Sequence, residues 1–286
     1  MIKRIFDLRG APLLLIAFGI LLVAERKKQL RKRNQPQIKR GVINSIVAIP
    51  SFSLLRLVFI PAMVRLALHN RKMKLGLNYQ YNTHPLLKTI ISFLALDYTN
   101  YLWHVLNHKI PLLWRFHVVH HSDPDLDITT AFRFHFGELI GSVFFRVAAV
   151  LATGATAMQV LIYEILFEGA TQFHHSNWKL PYKLEKNLNK VIVTPRMHGI
   201  HHSMIRQETD SNYSVIFSWW DRLHKTVRLN VPQEMIVIGV PSYSNTDELT
   251  AGYLLKLPFT KIRGWEQVNE IRDVRGTEED KNDLAE

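Results

Sequence analysis

Four apolar stretches separated by polar loops set the pattern of this chain. The first, "LRGAPLLLIAFGILLVAE" (8–25), carries Arg9 at its start and then no charge until Glu25. A helix needs roughly 20 apolar residues to span a bilayer, so this run is expected to be a short membrane anchor. A cleaved signal peptide would also begin with basic residues, but this run leads into "ERKKQLRKRNQ", not a small-residue cleavage site. The second stretch, "GVINSIVAIPSFSLLRLVFIPAMVRLALH" (41–69), has only Arg56 and Arg65 as charges, and Pro50 and Pro61 predict kinks. The third (85–103) runs straight into histidines, and the fourth (139–170) has "TGAT" at its middle. Two helices of roughly 15 residues each fit that fourth stretch, which predicts a hairpin returning to one side of the membrane. From Trp178 onward the chain is polar and mixed, with a strand-like "VIV" (191–193) and an acidic end, 266–286. The pattern predicts an all-α, multi-pass membrane protein in three parts: transmembrane helices and a basic loop (1–84), a central domain (85–230) and a C-terminal tail (231–286).

Charge refines this picture. The net charge is +12, but residues 1–40 alone hold eleven Lys and Arg against two acids, and eight of those basic residues fall between Arg26 and Arg40. Such a loop marks the cytoplasmic side of a membrane protein. No nucleic-acid recognition module is visible, so the basic balance does not imply a nucleic-acid partner. Counting sides from that loop, the second helix leads out, the third leads back in, and every dense histidine segment reaches the cytoplasmic face. "RKMK" (71–74) falls on the outer side and argues mildly against this count. The chain has no cysteine, so any metal must be held by nitrogen and oxygen.

Eleven of the fourteen histidines lie between His104 and His202. "WHVLNH" gives His104 and His108, "RFHVVHHS" gives His117, His120 and His121, and "RMHGIHHS" gives His198, His201 and His202; "FHHSN" adds His174 and His175. On a helix, residues spaced i, i+3 and i+4 share one face. Crowded imidazoles repel when protonated and lack partners when buried and neutral, unless a metal gathers them. One zinc takes four ligands, so this set implies two ions without naming the element. The Glu-x-x-His of carboxylate-bridged di-iron bundles, the zincin His-Glu-x-x-His, the Gly-x-Ser-x-Gly elbow and the Walker loop are all absent from the sequence.

"DYTNYLWHVLNH", "RFHVVHHS", "FRFHFGE", "FHHSN", "TPRMHGIHHS" and "SNYSVIFSWWDRL", in this order over residues 90–226, resemble the fatty acid hydroxylase and sterol desaturase superfamily of integral membrane di-iron oxygenases. The resemblance implies two irons, dioxygen as co-substrate, and hydroxylation or desaturation of a lipid or sterol-like substrate. It implies as metal ligands His104, His108, His117, His120, His121, His198, His201 and His202, with His175 from the segment after the hairpin; His174 and His135 are lesser candidates. The chain departs from the family pattern in three places: no Pro follows His135, Asn-Tyr-Gly is "NYS" (212–214), and Trp-Asp-x-Leu-Phe-Gly-Thr is "WDRLHKT" (220–226).

Groups that orient metal-bound rings are expected nearby. Asp97, two helical turns before His104, is the first choice; Asp123, Glu138, Asn177, Asn212 and Asp221 are others. With no dinucleotide fingerprint and no cysteine for an iron-sulfur centre, electrons are expected from a separate ferredoxin, cytochrome or reductase. The loop at 26–40 is open to such an acidic partner or, more simply, to anionic lipid. A membrane metallohydrolase using zinc or manganese in the same cage is the alternative reading.

Overall fold

The computed structural model describes residues 2–82 and 84–265; the acidic stretch 266–286 lies outside the described residues. The first apolar run lies within α1 (Ile2–Lys27). The second forms α2 (Gln37–Leu54), which passes through Pro50 and takes a π-helical turn at Leu55–Phe59 before α3 (Ile60–Met73). Pro61, which has no N–H to give to the helical ladder, sits just past that widened turn. After α4 (Leu77–Gln80) comes α5 (Pro85–Lys109), then α6 (Pro111–His121). Pro111 forces Ile110 out of helical geometry, to φ −102° and ψ 116°, and this single extended residue breaks the two helices apart.

A hairpin forms from α7 (Phe136–Thr153) and α8 (Ala157–His175), whose 18 and 19 residues exceed the expected lengths. Its turn is the "TGAT" sequence: Gly154 takes a left-handed φ of 69°, and Thr156 and Gln159 close a capping box on α8. A Cβ on Gly154 would lie 2.6 Å from the Leu75 carbonyl oxygen, so the tip of the hairpin packs on the α3–α4 link where only glycine fits. Short helices follow: α9 (Tyr182–Leu188), α10 (Pro195–His201), α11 (Arg206–Thr209), α12 (Trp219–Leu223) and α13 (Ala251–Lys256). "VIV" makes no strand; Ile192 forms one isolated bridge with Phe217.

The long helices form a bundle in which α5 packs along α6 and α7, α1 against α8, and α3 against α7 and α8. Gln37–Gln80 and Phe136–Thr153 are long and apolar enough to cross a membrane by length and composition. Large apolar side chains also point outward from the bundle, among them Leu15, Ile20, Ile49, Leu57 and Phe144.

Two segments are more built-in than their composition suggests. The basic loop turns inward: the buried Arg31 guanidinium donates to Gln233 Oε1 (2.6 Å), and Arg33 donates to the buried Glu25 (2.9 Å). Arg40 donates to both oxygens of Asp123 (2.7 and 2.8 Å) and to Asp127 (2.7 Å). Burial alone would raise the Asp123 carboxyl, but Arg40 and Arg133 hold it down at about 2. Residues 231–265, expected as a tail, bury Val240, Tyr243, Leu254 and Leu257 against Val47 of α2 and Val118 and Val119 of α6. The histidine helix α6 is thereby clamped on two sides. Replacing Arg40 with Ala leaves the buried Asp123 and Asp127 with only the longer ion-pair contacts to Arg133 (3.9 Å) and Arg33 (3.8 Å) among the described residues and is expected to cost about 3–5 kcal/mol of stability. Thermal unfolding in detergent measures this, with Arg115→Ala, a half-buried arginine that forms no ion pair among the described residues, as a control expected near the parent.

Candidate metal centre

Four helices deliver the histidines. His104 and His108 lie one turn apart near the end of α5, His117, His120 and His121 occupy the last turn of α6, His175 ends α8, and His198 and His201 lie on α10 with His202 as its C-cap. All nine are buried. Their ligand-capable nitrogens sort into two groups, each with its atoms within 4.8 Å of one another: His104, His108, His117, His121 and His201 in one, His120, His175, His198 and His202 in the other.

The two octets interlock. α6 gives its i, i+4 pair, His117 and His121, to the first group and its middle His120 to the second. α10 does the reverse, giving His198 and His202 to the second group and His201 to the first. At the seam the rings of His121 and His202 stack with centroids 4.4 Å apart.

Hydrogen bonds fix several tautomers. A backbone carbonyl only accepts, so the ring nitrogen facing it carries the proton. His104 Nδ1–H donates to the Tyr213 carbonyl, His201 Nδ1–H to that of Ser211 and His175 Nδ1–H to that of Thr171, each at 2.7 Å. His117 Nδ1 lies 3.0 Å from the Glu138 carboxylate, an ion-pair distance without hydrogen-bond alignment. In the three carbonyl-bonded rings Nε2 is left as a bare lone pair, and the nearby Glu138 carboxylate favours the same tautomer in His117. His104 Nε2 and His117 Nε2 nevertheless sit 3.1 Å apart, and His201 Nε2 is buried with no hydrogen-bond partner.

Lone pairs in that position repel unless a cation lies between them, so the donor set fits a divalent metal. Two nitrogens each roughly 2.1 Å from one ion and about 90° apart would be separated by roughly 3.0 Å. The Nε2–Nε2 contacts of His104, His117 and His121 in one group, and of His120, His175, His198 and His202 in the other, are 3.0–3.1 Å. Beside both groups is a cavity of ≈ 60 Å³ walled by Trp103, Phe134, Phe167 and Val215.

The remaining candidates are placed differently. His174 is buried with its ring 4.1 Å from that of His198 but belongs to neither group. His135 stands apart, because both its nitrogens are taken: Nδ1 accepts from Gly137 N–H to cap α7, and Nε2–H donates to the Leu255 carbonyl. Asp97 orients no ring. Its Oδ2 accepts from Trp220 Nε1 (2.7 Å) and Phe217 N (3.1 Å), tying α5 to the segment before α12. Asn177 pairs through its side chain with the backbone of Arg31.

Asn212 and Asp221 act one step removed. Asn212, at a left-handed φ of 54° that Asn tolerates, is held by Met197 and Arg228, while Asp221 accepts from the Tyr213 and Ser214 amides. Together they fix the turn whose Ser211 and Tyr213 carbonyls receive His201 and His104. Those carbonyls, and that of Thr171, carry no sequence signature because every residue has one. Glu138 alone among the candidates touches a clustered ring by charge-assisted contact at hydrogen-bond distance. Asp210, which sequence reasoning missed, lies 3.5 Å from His108 Nδ1.

Burial chiefly holds His120, His121, His198 and His202 well below the usual histidine range, and His201 at about 3. Since these rings stay neutral when folded but protonate near pH 6.5 when unfolded, the unfolded state binds more protons below that value. Stability is therefore full above about pH 6.5 and falls as pH drops below it, by about 1.4 kcal/mol per unit for each ring that stays neutral in the folded state. Chemical denaturation of the metal-free protein between pH 7 and 5 is expected to show this steep loss; a flat profile would contradict it.

Comparison with known proteins bears on the same stretch. The profile of the fatty acid hydroxylase family matches residues 89–226. The chain is 26% identical over 158 residues to alkylglycerol monooxygenase of Homo sapiens, covering 55% of this chain and 34% of that protein. It is 25% identical over 153 residues to cholesterol 25-hydroxylase of Mus musculus (52% and 50% covered) and 26% identical over 176 residues to an ornithine lipid hydroxylase of Rhizobium tropici (61% and 51%). The chain thus spans about a third to a half of the length of these relatives. No solved structure matches it. The matched residues include all nine clustered histidines and the turn at 211–214 that orients two of them, so over residues 89–226 the chain is similar to the fatty acid hydroxylase family at the site itself.

Proposed function

We propose that the protein is a membrane-bound, dioxygen-dependent di-iron oxygenase that hydroxylates or desaturates a lipid. The observation that carries this reading is the pair of buried imidazole groups, with lone pairs opposed at 3.1 Å, beside an apolar cavity. His104, His108, His117, His121 and His201 would hold one ion, and His120, His175, His198 and His202 the other. When bound, the irons supply dioxygen binding and the oxidising power to break an unactivated C–H bond. The chain's own residues do the rest. Glu138 and the Ser211, Tyr213 and Thr171 carbonyls keep the ring tautomers that leave Nε2 free. Trp103, Phe134 and Phe167 keep water from the reacting carbon and hold it in place.

The names of the relatives support a lipid substrate: an alkylglycerol, a sterol and an ornithine lipid. The outward apolar faces of the bundle support entry from a bilayer, with the histidine face on the cytoplasmic side by the charge of residues 26–40. Two electrons per turnover come from a separate ferredoxin, cytochrome or reductase.

Purified protein is expected to contain iron and to consume dioxygen only when a reductant is added; full turnover with zinc and no dioxygen would overturn the reading. The extract of a deletion strain should hold one lipid lighter by oxygen or richer by two hydrogens than the parent's. His201→Ala is expected to abolish turnover and lower metal content while membrane insertion persists, and a fully active variant would remove His201 from the ligand set. Glu138→Ala should weaken metal affinity about 10–100-fold in a chelator titration, whereas Asp97→Ala should leave it near the parent value.

A further inference from the structure

An aromatic column leads from the first histidine group to the surface. The Tyr213 ring lies with its centroid 5.1 Å from that of His108 and 5.7 Å from those of His104 and His201. Tyr101 follows at 6.4 Å, and Tyr98 stacks on Tyr101 at 6.1 Å with planes only 10° apart. Beyond it Trp220 lies 4.9 Å from Tyr98. Tyrosine and tryptophan are the side chains most easily oxidised by one electron when cysteine is absent, and this chain has no cysteine.

What distinguishes Tyr101 and Tyr98 from packing residues is that each has somewhere to put its proton. Thr226 gives its one hydroxyl proton to Asp221 Oδ1 at 2.6 Å, so Tyr101 must be the donor in its 3.1 Å contact with Thr226 Oγ1. Tyr98 OH lies 3.1 Å from Nε2 of the exposed His224. His224 stands where the family pattern has Phe, and its ring stacks on both tyrosines, at 5.7 and 5.1 Å. Neither the metal site nor the substrate cavity uses these contacts.

We propose that Tyr101 and Tyr98 form a discharge path that carries oxidising equivalents out of the metal site when dioxygen is reduced with no C–H bond in reach. This rests on the oxygenase reading above. Tyr101 gives one electron to the site through the Tyr213 ring, and its O–H bond breaks as the proton passes to Thr226 while Thr226's own proton moves to the Asp221 carboxylate. Tyr101 is left as a neutral phenoxyl radical. An electron from Tyr98 restores it, the proton returning from Asp221, and the phenolic proton of Tyr98 goes to His224 Nε2. A soluble thiolate then returns the electron to Tyr98, becoming a thiyl radical, and His224 returns the proton.

The test uses the full chain, iron-loaded and reduced in lipid nanodiscs, mixed with dioxygen without lipid substrate other than the disc and freeze-quenched for electron paramagnetic resonance. Dioxygen uptake accompanied by a tyrosyl radical, whose hyperfine pattern collapses on ring-deuteration of tyrosine, is the expected result. Tyr101→Phe should lose that signal and accumulate severalfold more oxidised histidine around the site by peptide mass spectrometry. Tyr98→Phe, at the surface and less disruptive, should instead trap the radical on Tyr101 and slow its decay by thiol. Uptake with no protein radical, or a radical and a damage pattern unchanged in both variants, would overturn the path. Absence of uptake in the parent would overturn the oxygenase reading and the path with it, and the two measurements tell these failures apart.

Discussion

The approach of imidazole lone pairs is the contact on which this architecture depends. His104 and His117 point their Nε2 atoms at each other across 3.1 Å, His104 held by its Nδ1–H bond to the Tyr213 carbonyl and His117 with the Glu138 carboxylate 3.0 Å from its Nδ1. No hydrogen-bond donor among the described residues relieves that repulsion, and burial removes the water that could. The fold therefore supplies rigidity instead. α6 is fastened by Arg40 through Asp123, by Arg133 through the Val119 carbonyl and Ser122, and by the wrap of residues 240–257 over its outer face. α10 is fastened by Glu185, which accepts from the backbone and side chain of Arg196, and by Asn212, which donates to the Met197 carbonyl.

The N-terminal region belongs with the site as much as with the membrane. Glu25, at the end of α1, is buried and accepts from the amides of Ile128 and Asn177, one beyond the end of α6 and the other beyond the end of α8. Arg31 reaches the carbonyl of Pro195, the first residue of α10, and the side chain of Gln233. The charged loop between the first two apolar stretches thus serves as the frame between the bundle and the histidine helices.

The sequence made the histidine spacing legible because helical periodicity is a local property, and the nine residues that the pattern singles out do come together. It did not reveal which histidine joins which group, since that depends on how α6 and α10 face one another. Asp97 misled because seven residues place it on the right face of α5, yet two turns is roughly 10 Å of rise, too far for a carboxylate to reach a ring. Nor could composition show which basic residues of the loop turn inward, since a guanidinium facing solvent and one facing a buried carboxylate count alike. The Arg and Ser that both octets share part company in the structure. Arg115 reaches only the Thr260 carbonyl whereas Arg196 pairs with Glu185; Ser122 and Ser203 each fall just past the histidines, where the one accepts from Arg133 and the other from the Ile205 amide.

The exchange of histidines between the octets also sets the order of events in biosynthesis. Each group draws on both α6 and α10, so neither can be completed while residues 198–202 are still to be made, even though His104 to His121 have long since emerged. A chain of this design passes through its membrane-insertion stage with no finished cage to load. On the proposed reading, capture of both metals waits until the last helix docks and the scaffold closes.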